Sequence, residues 1–335
     1  MQKDIMQGYM AGVNLGGWIS QCSLEAAHIA SFITEEDIRQ IATWGMDHVR
    51  LPFDHPVLED GRRGYEVIDK LIDWCKAHGL NVVLDMHHAP GYAFFNEDTK
   101  LFTDADTQGR FVAIWKDFAK RYQSEGSNVL FELLNEINDP HGDKWNNVAH
   151  MAIDGILSVD PDRYILLGGP FHNAARGLNS LEIWDDEHVL YNFHFYEPFV
   201  FTHQRAVWTA LKDSGIHQPY PGKVEGLEQL AQLLPEYKEP DSAPAVLDRD
   251  VVLAYMAPAL EFAKRTGKSL YCGEYGPIDK ADMDSRINWL KDVTGILNEH
   301  HIGKAYWSYK EMGFSTIDKQ NKPVSPALIA AIASK

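Results

Sequence analysis

Two glutamate residues, Glu136 and Glu274, each stand at the end of a short apolar stretch, Phe131–Glu136 and Tyr271–Glu274. A carboxylate in such a position seldom serves stability, because burying an unpaired charge is costly. Two carboxyls facing each other across one site form an acid/base pair whose surroundings can separate their pKa values. Hydrolysis of a glycosidic bond requires such a pair, one protonated for the leaving oxygen and one ionised for the anomeric carbon. The alternative is that both are surface acids among the 48 acidic residues.

Most other predicted strands also end in polar or aromatic residues that suit such a site. Arg50 could keep a nucleophilic glutamate ionised through a charge-assisted hydrogen bond. Tyr196 could donate a phenolic hydrogen bond to the same carboxylate, and Asn135 could bond a sugar hydroxyl beside the reacting carbon. Flat aromatic rings near the strand ends could pack against the sugar. The remaining candidates for supporting or substrate-binding roles are Asn14, Trp18, His87, His88, His194, Trp208 and Trp307.

Short apolar strand candidates alternate with longer amphipathic stretches along the whole chain. Several strand candidates are continuous apolar runs, which favours parallel strands that are buried on both faces. Thr34 is a candidate helix N-cap, because three acidic residues follow it in the first turn. The strand candidates are Tyr9–Leu15, His48–Pro52, Asn81–Met86, Val129–Leu134, Tyr164–Gly168, Val189–Phe195, Ser269–Gly273 and Lys304–Ser308. Further helix candidates are Gln108–Glu125, Lys144–Val159, Val251–Arg265 and Asp282–His300.

Eight successive β-then-α units predict an α/β protein with a (β/α)8 TIM barrel, in which the chemistry lies at the C-terminal ends of the strands. An open doubly wound sheet is the alternative fold, but the chain has neither a G-x-G-x-x-G motif after an early strand nor a Walker P-loop. A barrel needs about 250 residues, fewer than the 335 present. We therefore expect one catalytic barrel over residues 1–335, with a subdomain at about 199–249 inserted on the sixth βα loop over the active-site face. The alternative is that this insertion is only a structural patch.

The formal net charge of −17 disfavours nucleic acid and anionic membrane surfaces as partners. Three scattered cysteines do not form a disulfide framework, and no apolar run reaches the length of a membrane span. Residues Met1–Asp4 begin no signal peptide, because no long apolar segment follows them. We expect a cytoplasmic protein, or a secreted one whose signal peptide is absent from this sequence.

Seven segments occur in order and at the spacing of a barrel: Asn14–Trp18, His48–Phe53, Leu84–Gly91, Phe131–Glu136, Tyr191–Tyr196, Tyr271–Gly276 and Trp307. On these segments the chain resembles glycoside hydrolase family 5, a large cellulase family whose barrels carry catalytic glutamates after strands 4 and 7. Within the family it is most similar to clostridial-type endo-β-1,4-glucanases that have a subdomain inserted after strand 6.

The resemblance implies that Glu136 is the acid/base and Glu274 the nucleophile of a retaining hydrolase. It also implies a supporting shell of Arg50, His87, Asn135, His194, Tyr196 and Trp307. Many members read Asn-Glu-Pro where this chain has Ile137 after the glutamate. This departure concerns the geometry of the loop and not the reaction.

The resemblance further implies internal cleavage of β-1,4-linked and mixed-linkage β-1,3-1,4-glucans by a monomer without cofactor or metal. Exo-action, or specificity for β-1,3-glucan or mannan, remains open at this point. A metal-dependent barrel hydrolase is a rival, since His55, His87, His88, His194 and Asp85 could gather near the barrel mouth, although no H-E-x-x-H motif is present. A non-catalytic sugar-binding protein is a third possibility, but it predicts that at least one glutamate of the pair is replaced.

Overall fold

Eight parallel strands form a closed barrel in the computed structural model, which describes residues 5–59, 63–95, 98–139, 142–237 and 243–335. The barrel strands are β1 (Gly12–Asn14), β2 (His48–Asp54), β3 (Asn81–His88), β4 (Val129–Glu132), β5 (Ile165–Gly168), β6 (Val189–Phe195), β9 (Leu270–Tyr275) and β10 (Gly303–Tyr306). They neighbour one another in chain order, and β10 pairs with β1 to close the barrel. The predicted (β/α)8 fold is confirmed.

Amphipathic helices surround the barrel, and each predicted helix occurs with bounds shifted by a few residues. The predicted cap at Thr34 precedes α2, and the Asp37 carboxylate accepts the Thr34 backbone N–H at 2.8 Å, as in a capping box. The α-helices are α1 (Ala26–Ser31), α2 (Glu35–Thr43), α3 (Pro56–Glu59), α4 (Arg63–Ala77), α5 (Ala105–Arg121), α6 (Asp143–Leu157), α7 (Phe199–Thr202), α8 (Leu227–Leu233), α9 (Arg249–Thr266), α10 (Met283–Glu299) and α11 (Pro326–Ile332). Short 3-10 helices cover Ile5–Gly8, Lys100–Phe102, Gln123–Asn128, Ala175–Ser180 and Pro235–Tyr237.

Two strand ends differ from the predicted bounds in a way that matters for the site. Strand β4 ends at Glu132, the last residue that is in register with β3. The two residues expected to do chemistry, Asn135 and Glu136, therefore lie in the loop beyond this strand. Strand β9 runs to Tyr275 because it stays paired with the end of β6, so Glu274 lies inside the strand and not beyond it.

Side chains on alternate residues of each strand share one face, and along β3 this pattern turns from apolar to polar. Val83 belongs to a buried apolar cluster at the lower end of the barrel, which the N-terminal residues Ile5 and Met6 join. Asp85 and His87, two and four residues further along, are buried and take part in the polar network described below. The apolar layer thus lies below the polar layer in the same barrel.

The segment 199–249 lies between β6 and α9 and is described except for residues 238–242. It contains α7, α8 and a small antiparallel pair, β7 (Gly222–Lys223) with β8 (Val246–Leu247). Among the described helices, none has the length and apolar character needed to span a bilayer. Residues Met1–Asp4, on which the expectation about a signal peptide depends, lie outside the described residues.

Candidate active site

A cavity of about 950 Å³ opens at the C-terminal ends of the barrel strands. Both glutamates of the predicted pair line it, together with polar residues from β3, from the loop after β4 and from β6, and a rim of aromatic side chains. Of the predicted site residues, the cavity is lined by His87, Asn135, Glu136, His194, Tyr196, Trp208, Glu274 and Trp307. The barrel therefore brings together residues that lie far apart in the chain.

Arg50 is the cation on which the polar layer is built, and it is completely buried. Its guanidinium donates two parallel hydrogen bonds of 2.7 Å to the carboxylate of Glu132, and it lies 3.1 Å from Asp85. Burial raises the pKa of both carboxyls to about 7, although Arg50 acts in the opposite direction. One buried arginine thus faces several carboxyls below the cavity floor.

The remaining bonds of Arg50 connect this layer to Asn14, Asn135 and Glu274. Its guanidinium donates to Asn14 at 2.8 Å, to Glu274 at 2.9 Å and to Asn135 at 3.0 Å. Asn14 in turn donates its side-chain N–H to the Gly273 carbonyl at 2.9 Å, so it ties Arg50 to β9. Asn14 is buried and lies beneath the cavity, where it orients the arginine and does not line the cleft.

Both oxygens of Glu274 accept strong hydrogen bonds. Oε1 accepts from Arg50, and Oε2 accepts the phenolic proton of Tyr196 at 2.9 Å. Burial raises the pKa of Glu274, whereas Arg50 and the bond from Tyr196 favour its charged form. Bonds of this kind stabilise a carboxylate and orient it, which suits a nucleophile.

Glu136 stands in a different setting, with a left-handed backbone (φ 43°) directly after Asn135. Its carbonyl oxygen accepts the hydroxyl of Tyr92 at 2.7 Å, and its Oε1 lies 3.2 Å from His194 Nδ1. Burial raises the pKa of Glu136 well above its usual range, and the neighbouring Glu274 raises it further. No arginine bonds this carboxyl among the described residues, so its surroundings favour the protonated form, the form that a general acid needs.

The two carboxyls approach closely around His194. One oxygen of Glu136, one oxygen of Glu274 and one nitrogen of His194 all lie within 4.8 Å of one another. These three groups could hold a cation, and they are also the groups that an acid/base mechanism needs. His194 is buried, and burial lowers its pKa well below its usual value, so it is a neutral hydrogen-bonding group.

His87 also lines the floor of the cavity. Its Nδ1 lies 2.7 Å from Asp85, and its Nε2 lies 3.4 Å from the amide nitrogen of Asn135. The Trp307 ring stacks on this imidazole, with the ring centroids 5.7 Å apart and the planes 7° apart. Burial lowers the pKa of His87 to about 3, so the ring is neutral. It therefore orients Asn135 without adding charge.

Two predicted site residues lie away from this cavity. Trp18 is only 2% exposed, and its indole donates to the Ile29 carbonyl at 2.8 Å, so it is a core residue and offers no sugar platform. His88 does not line the cavity itself, although its ring lies 5.6 Å from that of His87 and 4.8 Å from that of Phe95 at the cavity rim. It pairs with Asp54 at 2.9 Å and lines a separate small polar cavity.

Sequence reasoning gave no site role to several residues that the structure places here. Glu132 is a buried partner of Arg50, and a signal for it was available, because an acid inside a buried strand needs a cation. Asp85, the other buried partner, was considered only as a ligand of the metal-dependent rival. Phe171 and His172, which line the cavity after β5, carry no recognisable sequence signal. Rim residues that were also not assigned a site role are Gln21, Arg176, Glu197, His203, Met312 and Phe314.

Comparisons with known proteins agree with this geometry. Residues 10–313 match the family model described as cellulase (glycosyl hydrolase family 5). Endoglucanase C of Acetivibrio thermocellus is 41% identical, covering 98% of this chain and 99% of that protein. Cellodextrinase A of Ruminococcus flavefaciens is 36% identical, covering 89% of this chain and 84% of that protein. The structure of Thermotoga maritima Cel5A in complex with cellobiose aligns with a TM-score of 0.75 at 25% identity, covering 98% of each chain; Cel5A has also been solved in complex with mannotriose.

Proposed function

The chain belongs to the cellulase family, glycosyl hydrolase family 5, and we propose that it cleaves β-1,4-linked glucans internally by double displacement. The observation that carries this proposal is the pair Glu136 and Glu274, with one oxygen of each within 4.8 Å. Retaining glycosidases hold their carboxyls about 5–5.5 Å apart, whereas inverting enzymes need about 6.5–9.5 Å to admit a water.

In the first step, Glu274 Oε attacks the anomeric carbon and forms a covalent glycosyl ester. The bond from that carbon to the leaving oxygen breaks, and Glu136 gives its proton to this oxygen. Arg50 and Tyr196, which bond Glu274, keep the carboxylate ionised and aimed before the attack. Glu136, now ionised, is left beside His194.

In the second step, Glu136 takes a proton from water while the water oxygen attacks the anomeric carbon. The ester bond to Glu274 breaks, and both carboxyls return to their starting states with net retention. Asn135 is fixed by Arg50 and His87, so its amide can bond a sugar hydroxyl beside the reacting carbon. Trp307, on the same floor, offers a flat ring to the sugar.

Product analysis tests this function directly. We expect the wild-type protein to release reducing ends from barley mixed-linkage β-glucan with an early fall in viscosity, as internal cleavage requires. Proton NMR of cellohexaose hydrolysis should show the β-anomer first, with the α-anomer appearing only through mutarotation. An α-anomer formed first would exclude double displacement. Activity lost to EDTA and restored by a divalent cation would favour the metal-dependent alternative, for which Glu136, His194 and Glu274 would be the ligands.

A β-mannan is the second candidate substrate, because Thermotoga maritima Cel5A has been solved in complex with mannotriose. Parallel assays on mannan and on β-glucan compare the two sugars on the same preparation. A higher kcat/KM on mannan would change the preferred substrate and leave the mechanism untouched.

We also propose that residues 199–249 form a wall of the cleft as an inserted subdomain of a monomeric enzyme. Trp208 supports this role: it is 57% exposed and lines the same cavity as Glu274. Its ring lies 6.3 Å from the rings of His203 and Phe314, which hold it at the cavity rim.

Replacing Trp208 by alanine is expected to raise KM for cellohexaose by about 3- to 10-fold with little change in kcat, because a stacking ring contributes about 0.5–1.5 kcal/mol beyond its area. Initial rates over a range of cellohexaose concentrations measure this. Val207→Ala is the matched control, since Val207 is 67% exposed and does not line the cavity. Equal KM values for Trp208→Ala and wild type would leave the segment a structural role only.

A further inference from the structure

Three consecutive residues after β5 adopt a backbone that side chains rarely allow. Phe171, His172 and Asn173 have φ values of 62°, 56° and 54°. In this left-handed region the Cβ atom crowds the following carbonyl, so a run of three non-glycine residues persists only where the surroundings impose it. Such outliers concentrate at functional sites, which makes the run a starting point for a functional hypothesis.

The run is held between the two strand ends that carry the acid/base and its histidine. The His172 backbone N–H donates to the carbonyl of Ile137 at 3.1 Å, one residue beyond Glu136. The His194 backbone N–H donates to the Asn173 carbonyl at 2.7 Å. The geometry of the run is therefore coupled directly to the position of Glu136 and of His194.

The consequence of this conformation is the placement of a second imidazole on the acid/base carboxyl. His172 Nδ1 lies 3.8 Å from Glu136 Oε2, while His194 Nδ1 lies 3.2 Å from Oε1. Each oxygen of Glu136 thus faces one imidazole. The His172 side chain is half exposed and lines the cavity, so a small rotation or one shared water can close the longer distance.

We propose that His172 is a positioning residue for the acid/base carboxyl: it holds Glu136 Oε2 in the orientation from which the proton is given to the leaving oxygen and taken back from water. The proposal rests on the proposed function of Glu136. The carboxyl alternates between neutral and charged forms in each turnover, and a neutral imidazole can accept from the first form and donate to the second.

The charges that face His172 are consistent with a neutral ring. Glu136 lies on one side, Arg176 follows on the same segment with its guanidinium over the Phe171 ring, and His194 lies beyond Glu136. Burial lowers the pKa of His172, and Arg176 lowers it further. At neutral pH the ring therefore carries no charge that would draw the proton from Glu136.

The test compares two substrates that differ in their need for an acid. Cellotetraose has a poor leaving group and needs protonation by Glu136, whereas 2,4-dinitrophenyl β-cellobioside has a leaving group that departs unprotonated. For His172→Ala we expect kcat/KM to fall about 10-fold on cellotetraose and less than 2-fold on the aryl glycoside. The expected loss on cellotetraose is a part of the whole contribution of general acid catalysis, which is about 10²–10⁴-fold. His172→Asn tolerates the left-handed backbone and keeps a hydrogen-bonding amide, so it should recover most of the loss.

His150→Ala, a change at an exposed histidine of α6 that pairs with Glu182, is the control and should leave both rates unchanged. Equal losses on the two substrates with His172→Ala would overturn the proposal, because a general loss of folding or binding affects both alike. No loss on cellotetraose would overturn it as well. The proposed function is read separately, from wild-type cleavage of cellotetraose: if that is absent, the function fails whatever the variants show.

Discussion

Glu274→Ala is expected to lower kcat/KM on β-glucan by at least about 10⁴-fold, which is the size of the loss when a catalytic nucleophile or base is removed. Without this carboxylate no glycosyl ester can form, and no other carboxylate is held by Arg50 and Tyr196 at the cavity surface among the described residues. Reducing-end release from barley β-glucan, wild type beside variant, measures the loss. Near-ultraviolet circular dichroism of both proteins shows whether the variant keeps the native packing.

Azide separates the roles of the two glutamates. In Glu274→Ala, azide can occupy the space of the lost carboxylate and attack 2,4-dinitrophenyl β-cellobioside, which gives the α-glycosyl azide. In Glu136→Ala the ester still forms, and azide then attacks it from the other face to give the β-glycosyl azide. Glu261→Ala, at an exposed position of α9, is the control and should retain full activity. Full activity of Glu274→Ala, or azide products of the opposite anomers, would contradict the assignment.

The barrel could be predicted because its strands are buried on both faces, so they read as apolar runs between amphipathic helices. The site could be predicted for the same reason, since a barrel brings all strand ends to one face. Glu136 and Glu274 then follow from their positions, although one lies in a loop and the other inside β9. The number of residues between Glu136 and Glu274 was not needed to predict that they lie at the same site.

The errors have physical reasons that differ from residue to residue. His87 and His88 are neighbours on one strand, and strand alternation sends only His87 into the barrel. Trp18 follows β1 closely, but its indole donates to the carbonyl of Ile29 in α1, a contact that no local pattern indicates. The left-handed run at His172 depends on bonds to Ile137 and His194, and such tertiary constraints leave no trace in residue spacing.

Among the residues that were not predicted, Glu132 had the clearest signal in the sequence. It lies four residues before Glu136 inside a predicted buried strand, where an acid without a cation is costly. Arg50, also inside a predicted strand, has the complementary requirement. Pairing the two would have predicted the bidentate contact of 2.7 Å that anchors the site. Buried charges of opposite sign in different strands of one barrel are thus a usable signal.

Arg50→Met is expected to reduce both stability and activity, because it leaves Asp85, Glu132 and Glu274 buried without their shared cation. Breaking a buried ion pair by removing one partner costs about 3–5 kcal/mol. Activity should fall by orders of magnitude, since Glu274 loses the bond that keeps it ionised and Asn135 loses its anchor. Urea unfolding and reducing-end assays on the same preparation measure the two effects.

The loss of stability should depend on pH with a defined sign. Burial already raises the pKa of Asp85 and Glu132 to about 7, well above the values in an unfolded chain, even though Arg50 opposes the shift. A raised pKa stabilises the folded state at low pH, and this contribution is lost as pH rises toward the folded value. Without Arg50 the pKa values of Asp85 and Glu132 rise further. The stability of the variant therefore keeps falling up to a higher pH than that of the wild type.

The difference in unfolding free energy between wild type and Arg50→Met should therefore be larger at pH 8 than at pH 5, because the charged forms of Asp85 and Glu132, which Arg50 stabilises, are less populated at the lower pH. Arg110→Met is the control: Arg110 is 60% exposed and pairs with Glu59, and such surface pairs contribute little to stability. A difference independent of pH would mean that Arg50 stabilises the barrel by packing alone. Wild-type activity in Arg50→Met would mean that Glu274 does not depend on this arginine for its charge.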